Sequence, residues 1–166
     1  IEVADFGSAE ETIDPELCEI FSNETTVHLT TISQYIEEHA EQNEVFVNDA
    51  LFRALHTIHG CASMSHIDEV EALSGTLCDY IRDLYESDAG VKRNAFYSIL
   101  TEYLSITAQQ VVVLNTPLAK VPEYKHLQED ISKQIAALAE RLTEQLESVC
   151  EEITVTTDLV GEPNNI

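Results

Sequence analysis

Positive charge is scarce in this sequence of 166 residues: 8 Lys and Arg stand against 31 Asp and Glu, a formal charge of -23. Nowhere are the few cations gathered into a stripe, so the surface repels phosphate backbones and anionic headgroups. Nucleic acid and a membrane surface are therefore excluded as partners, whereas a basic or an apolar docking partner is not. Tryptophan is missing, and glycine and proline number only 5 and 4. Glu, Ala, Leu and Gln recur in long unbroken runs instead, which favours helix over sheet. No stretch approaches the ~20 apolar residues of a membrane span, and no positively charged start precedes an apolar run. The four cysteines, Cys18, Cys61, Cys78 and Cys150, form no C-x-x-C pair. Each lies in or beside an apolar helical stripe, so all four are predicted to be buried thiols in a reducing, cytoplasmic setting.

The length suits one domain with a single core. Both ends are polar and weakly patterned, so residues 1–13 and 156–166 read as linkers around a helical domain over 14–155. With Ile1 at its start, the sequence reads as a domain taken from a larger protein.

Five amphipathic stretches fill that domain. Asp14, Pro15 and Glu16 form a helix start, and Leu17, Ile20, Phe21, Val27, Ile32, Tyr35 and Ile36 follow at helical spacing to about residue 40. The second stretch, about 45–65, presents Val47, Leu51, Ala54, Leu55, Ile58 and Ala62. The third, about 67–85, presents Ile67, Val70, Leu73, Leu77, Ile81 and Leu84. The fourth runs over about 91–114 and stops at a loop that Pro117 and Pro122 make firm. The fifth, about 124–153, has the cleanest stripe: Leu127, Ile131, Ile135, Leu138, Leu142, Leu146, Val149 and Ile153. Long helices joined by short loops pack as antiparallel neighbours. An all-α fold is predicted, an antiparallel up-and-down four-helix bundle with an additional long fifth helix. No strand pattern is visible. The fifth stripe is expected to pack mainly within the bundle, the alternative being that part of it meets a neighbouring domain or a second copy.

The second stretch, "LFRALHTIHGCASM", holds a glycine where a helix gains nothing from one. At 100° per residue Leu51, Ala54, Leu55, Ile58 and Ala62 share one arc. The opposite arc collects Asp49, Arg53, His56, Gly60 and Ser63, flanked by Phe52 and His59. An exposed mid-helix glycine costs about 1 kcal/mol relative to alanine. Either Gly60 is incidental, or it leaves a dent beside His56 through which another molecule can approach the imidazole.

These residues resemble the histidine phosphotransfer (HPt) domain motif, H-[ST]-[ILV]-K-G-[SGA]. The upstream "DPELCEIFSNETTVHLTTI" is similar to that family's opening helix, E-L-[LR]-E-I-F-x-E-E-A. Together they look most like the tandem copies in CheA-type hybrid kinases of type IV pilus motility, over about residues 15–114. The resemblance implies that His56 projects from the second helix as a phosphoacceptor between a histidine kinase catalytic domain and receiver aspartates. It implies partner docking at Phe52, Arg53 and Ser63, close approach at Gly60, and a helix beyond the bundle of four. No cofactor is expected in this domain, because Mg²⁺ and ATP come with the partners, and no independent catalytic activity is expected either.

Transfer through histidine needs an exposed neutral ring nitrogen and positive charge for the equatorial oxygens. The family's lysine, three residues after the histidine, is His59 here, which makes His59 the expected phosphate contact. Histidine, with an ordinary pKa near 6.5, is only roughly a quarter protonated at pH 7. Where chemotaxis-type members place a second histidine and a glutamate on the third helix, this sequence has Gly75 and Cys78, and neither can orient the ring. Two readings stay open: a working phosphotransfer module, or a degenerate copy kept as a docking or scaffold domain.

Other constellations are weaker. His56, His59, Cys61 and His66 are close in sequence but point different ways on a helix, so no metal site is expected. A di-iron bundle needs two E-x-x-H pairs, and only Glu123 with His126 fits. His28 and His39 read as structural or solvated histidines at the margin of the first helix.

Overall fold

The computed structural model describes residues 14–116 and 120–159, with side chains to 156. The readings of residues 1–13, Pro117 and 160–166 lie outside the described residues. The order is α1 (Pro15–Glu38), β1 (Glu44–Val45), α2 (Asp49–Met64), α3 (Asp68–Ser87), β2 (Val91–Lys92), α4 (Arg93–Leu114) and α5 (Lys125–Leu159).

Local chemistry sets the boundaries. The Asp14 carboxylate accepts from the Glu16 amide at 2.9 Å, with Pro15 in the first turn of α1. Asn48 caps α2 through the Leu51 amide at 2.9 Å. That cap starts the helix later than the apolar pattern suggests, because Glu44 and Val45 are extended and pair antiparallel with Lys92 and Val91. The expectation of no strand is corrected here: two residues on each side are too few to show alternation. α3 ends at Asp88, whose φ of 50° is left-handed.

The core combines Phe21, Ile32 and Tyr35 of α1 with Leu51, Leu55 and Ile58 of α2. Leu73, Leu77 and Ile81 of α3 join Phe96, Leu100 and Tyr103 of α4 in the same cluster. The Tyr35 hydroxyl donates to the Phe46 carbonyl at 2.6 Å, and the Ser74 and Tyr103 hydroxyls bond at 2.8 Å, so these buried polar ends are satisfied. On α1 the sequence stripe needs correction: Leu17, Ile20 and Val27 are exposed, and Cys18, Phe21, Thr25, Ile32 and Tyr35 face inward. Ser22, Thr26 and Thr30 of α1 bond back to carbonyls one turn earlier, which satisfies their hydroxyls within the helix.

α5 packs on α3 and α4 through Leu127, Ile131 and Leu138. The Gln128 amide reaches Thr76 Oγ1 at 3.0 Å on α3. At 35 residues the helix is about 50 Å long and outruns the bundle. Beyond the half-buried Leu142 every described side chain is exposed, Leu146 and Val149 among them. The fifth stripe is therefore split, its first half in the core and its second half in solvent. Cys150 lies on the solvent half and is exposed, against expectation. Cys18 and Cys78 are buried and Cys61 is half-buried, and burial raises all three thiols above the ordinary value.

Candidate functional site around His56

α2 buries Leu51, Ala54, Leu55, Ile58 and Ala62, which leaves His56 on the solvent side. Among the described residues no hydrogen bond holds the His56 ring; its neighbour is Phe52, stacked at 6.1 Å between ring centroids and 14° between planes. Phe52 stacks in turn on Tyr85 of α3 at 5.0 Å and 13°. Three rings thus lie in series across the α2–α3 seam, ending on the exposed imidazole.

The stack is tethered at its far end. The Tyr85 hydroxyl donates to Asp49 Oδ1 at 3.2 Å, and Arg53 Nε pairs with Asp49 Oδ2 at 3.0 Å. That hydrogen bond to a carboxylate raises the Tyr85 pKa. One carboxylate therefore places Arg53, three residues before His56, on the same face as the imidazole.

The other flank is built from two residues that depart from the resembled motif. A Cβ placed on Gly75 would lie 3.1 Å from His59 Nε2 and 3.3 Å from its Cδ2. The bare Gly75 backbone is what admits the His59 ring against α3. A Cβ on Gly60 would meet nothing within 4 Å, so the space beside His56 on that side is open. The two glycines thus have different uses: Gly75 seats a ring of its own chain, and Gly60 keeps a surface clear.

The register set by Asp49–Tyr85 and His59–Gly75 brings Cys78 level with His56. Cys78 is buried, and its thiol takes a contact from Arg82 at 3.9 Å. Ser63 is exposed two turns beyond His56. His56, Phe52, Arg53, His59, Gly60 and Gly75 are thus drawn into one patch, with Ser63 at its edge and Cys78 beneath it. Sequence reasoning passed over Asp49 and Tyr85 as partners. The Asp49–Arg53 spacing signals the first, but nothing in sequence announces a contact across 36 residues.

Residues 16–110, more than half the chain, match the family described as the Hpt domain. The chain belongs to the Hpt family. No curated protein and no solved structure gives a significant match. The family is one of histidine phosphotransfer in phosphorelays, whose members work with kinase and receiver domains. The matched span of this Hpt domain takes in α1, α2, α3 and most of α4, and so the whole patch around His56.

Three histidines elsewhere are engaged. His39 Nδ1 lies 2.8 Å from the Tyr35 carbonyl, and His28 faces Glu24. His126 bonds Glu123 through Nδ1 and Glu102 through Nε2. Among the described residues no group of three or more His, Cys, Asp and Glu is arranged to hold a metal ion. No helix among them is long and apolar enough to cross a membrane.

Proposed function

We propose that His56 is the phosphoacceptor of this Hpt domain. The observation that carries the reading is an exposed imidazole without hydrogen bonds, beside a glycine whose missing side chain leaves open space. A ring nitrogen lone pair attacks phosphorus as the bond to the ADP leaving group, or to a receiver's acyl phosphate oxygen, breaks. The N–P bond so formed is later broken by a receiver carboxylate, and the ring returns to its starting state. Mg²⁺ and ATP belong to the kinase and receiver partners. No independent catalytic activity is proposed for the domain.

Where the family has one lysine, Arg53 supplies a positive charge and His59 a ring N–H for the phosphoryl oxygens. Arg53 lies one turn before His56, held by Asp49, and His59 one turn after, held over Gly75. Phe52 and Ser63 offer a receiver an apolar and a hydroxyl contact along the same face. The fit of His59 to Gly75 supports a matched replacement over decay, which favours transfer over a docking-only domain. The parent protein on this reading is a cytoplasmic CheA-type chemosensory kinase of the kind that governs type IV pilus motility, whose motifs this sequence resembles.

The test is incubation with a cognate kinase core and ATP, or with a phosphorylated receiver. Acid-labile, base-stable phosphate that His56→Gln abolishes is expected. Receiver binding without any such label would instead support the docking-only reading.

A further inference from the structure

The distal half of α5 continues an apolar stripe that no other described element covers. Leu142 is half-buried at the bundle's end, while Leu146 is 67% and Val149 50% exposed. At 100° per residue the three fall within one 60° arc, spaced four and three residues apart as in a helix-pairing seam. Leu142 faces Asp83, Glu86 and Ser87 at the end of α3 across a groove, and Leu146 and Val149 line its continuation, which meets α3 at Ser87.

Charge around the groove is mostly negative, with Arg141 at its inner end the exception. Asp83 and Glu86 stand on the α3 wall, and Glu151 and Glu152 lie exposed further along α5. The last basic residue before the end of the helix is Arg141, and its guanidinium is engaged by the Gly90 carbonyl at 3.0 Å. Two copies meeting through this face would set acidic walls against each other, on a chain already at -23. Complementarity selects the opposite occupant.

We infer that the groove between the end of α3 and the distal half of α5 docks an amphipathic helix of a partner protein, apolar at coiled-coil spacing and flanked by Lys and Arg. This surface is independent of His56 and of the transfer reading.

Titration of the intact domain with synthetic helices of about 21 residues, roughly six turns, tests it. One peptide carries a leucine stripe with Lys and Arg flanks, a second has the same composition scrambled, and a third has Glu flanks. The basic amphipathic peptide is expected to bind at least tenfold more tightly than either control. Leu146→Ser with Val149→Ser is expected to weaken it at least tenfold, and added salt to weaken it further. Glu86→Lys, on α3 and so independent of α5 helicity, is expected to shift preference toward the Glu-flanked peptide. Equal binding of the scrambled peptide would reduce the effect to bulk charge and overturn the inference, as would unchanged binding by both variants. Sedimentation showing a dimer that the serine pair dissociates would assign the face to a second copy and overturn it equally.

Discussion

Two of the surfaces on which this molecule shows apolar side chains to water do so in opposite ways. Around His56 the exposed rings are coupled: Tyr85 stacks on Phe52, Phe52 on His56, and Asp49 ties Tyr85 and Arg53 together. On distal α5 Leu146 and Val149 repeat at helical spacing on a helix with no bundle beneath it. The first surface is organised before any partner arrives, which suits positioning a reacting atom. The second is a stripe awaiting a complementary helix. The proposed role of His56 therefore rests on exposure within a fixed frame and not on exposure alone.

The largest expected separation between the surfaces is chemical. His56→Gln should remove the phosphoryl label entirely, while Leu146→Ser with Val149→Ser should leave labelling by a kinase core within about twofold, roughly 0.4 kcal/mol in barrier. Labelling of the two variants side by side checks this, and a large loss in the serine pair would join the two surfaces into one.

Stability should divide the leucines as sharply. Leu77 is fully buried between the helices, and Leu77→Ala should cost about 2–5 kcal/mol through lost burial and a residual cavity. Leu146→Ala should stay within ~0.5 kcal/mol. Urea unfolding midpoints at constant slope measure both. A cost near that of Leu77 at Leu146 would mean that the distal stripe is packed in solution.

The two glycines sharpen the account of the first surface. Gly60→Ala adds a methyl into open space, so it should stabilise the domain by about 1 kcal/mol while slowing transfer at the obstructed approach. Gly75→Ala offers the same gain in helix propensity but presses on the His59 ring at 3.1 Å. Its net gain should be smaller, with transfer altered through a displaced His59. Equal stabilisation at both positions, with unchanged transfer, would break the distinction drawn between them.

Helical periodicity made most of the fold legible, because burial along α2 and α3 follows the 3.6-residue pattern closely. It was less informative where a helix has spare apolar residues, as on α1 with Leu17, Ile20 and Val27, or where it outruns its neighbours, as on α5. Pattern gives the direction a side chain points, and the length of adjacent helices decides whether anything lies there. The position of His56 and the open side at Gly60 follow from one helix alone. In sequence Gly75 looks like a missing support because its use depends on His59 across the seam, and Tyr85 gives no signal for the same reason. Pairings across a seam depend on register, which no single helix contains.

The smallest expected effect lies at the anchored start of α5, the counterpart of its free end. His126 bonds Glu102 on α4 and Glu123 just before α5, with side chains exposed to water. The bond to Glu102, then that to Glu123, raises the His126 pKa above its ordinary 6.5. The same histidine lowers the Glu123 pKa below its ordinary 4.5. A raised histidine pKa stabilises the fold fully below pH 6.5, and this contribution is lost as pH rises through the raised value. A lowered carboxylate pKa stabilises it fully above pH 4.5, and this is lost as pH falls through the lowered value. The cluster therefore clamps α5 to α4 best between those limits, and water screening keeps the effect modest. An NMR titration of the His126 ring should give a midpoint above 6.5 that falls back toward it in Glu102→Gln. Amide exchange in the first turn of α5, corrected for its intrinsic pH dependence, should quicken above the same midpoint. A midpoint unmoved by Glu102→Gln would leave that turn held by Leu127, Ile131 and Gln128 alone.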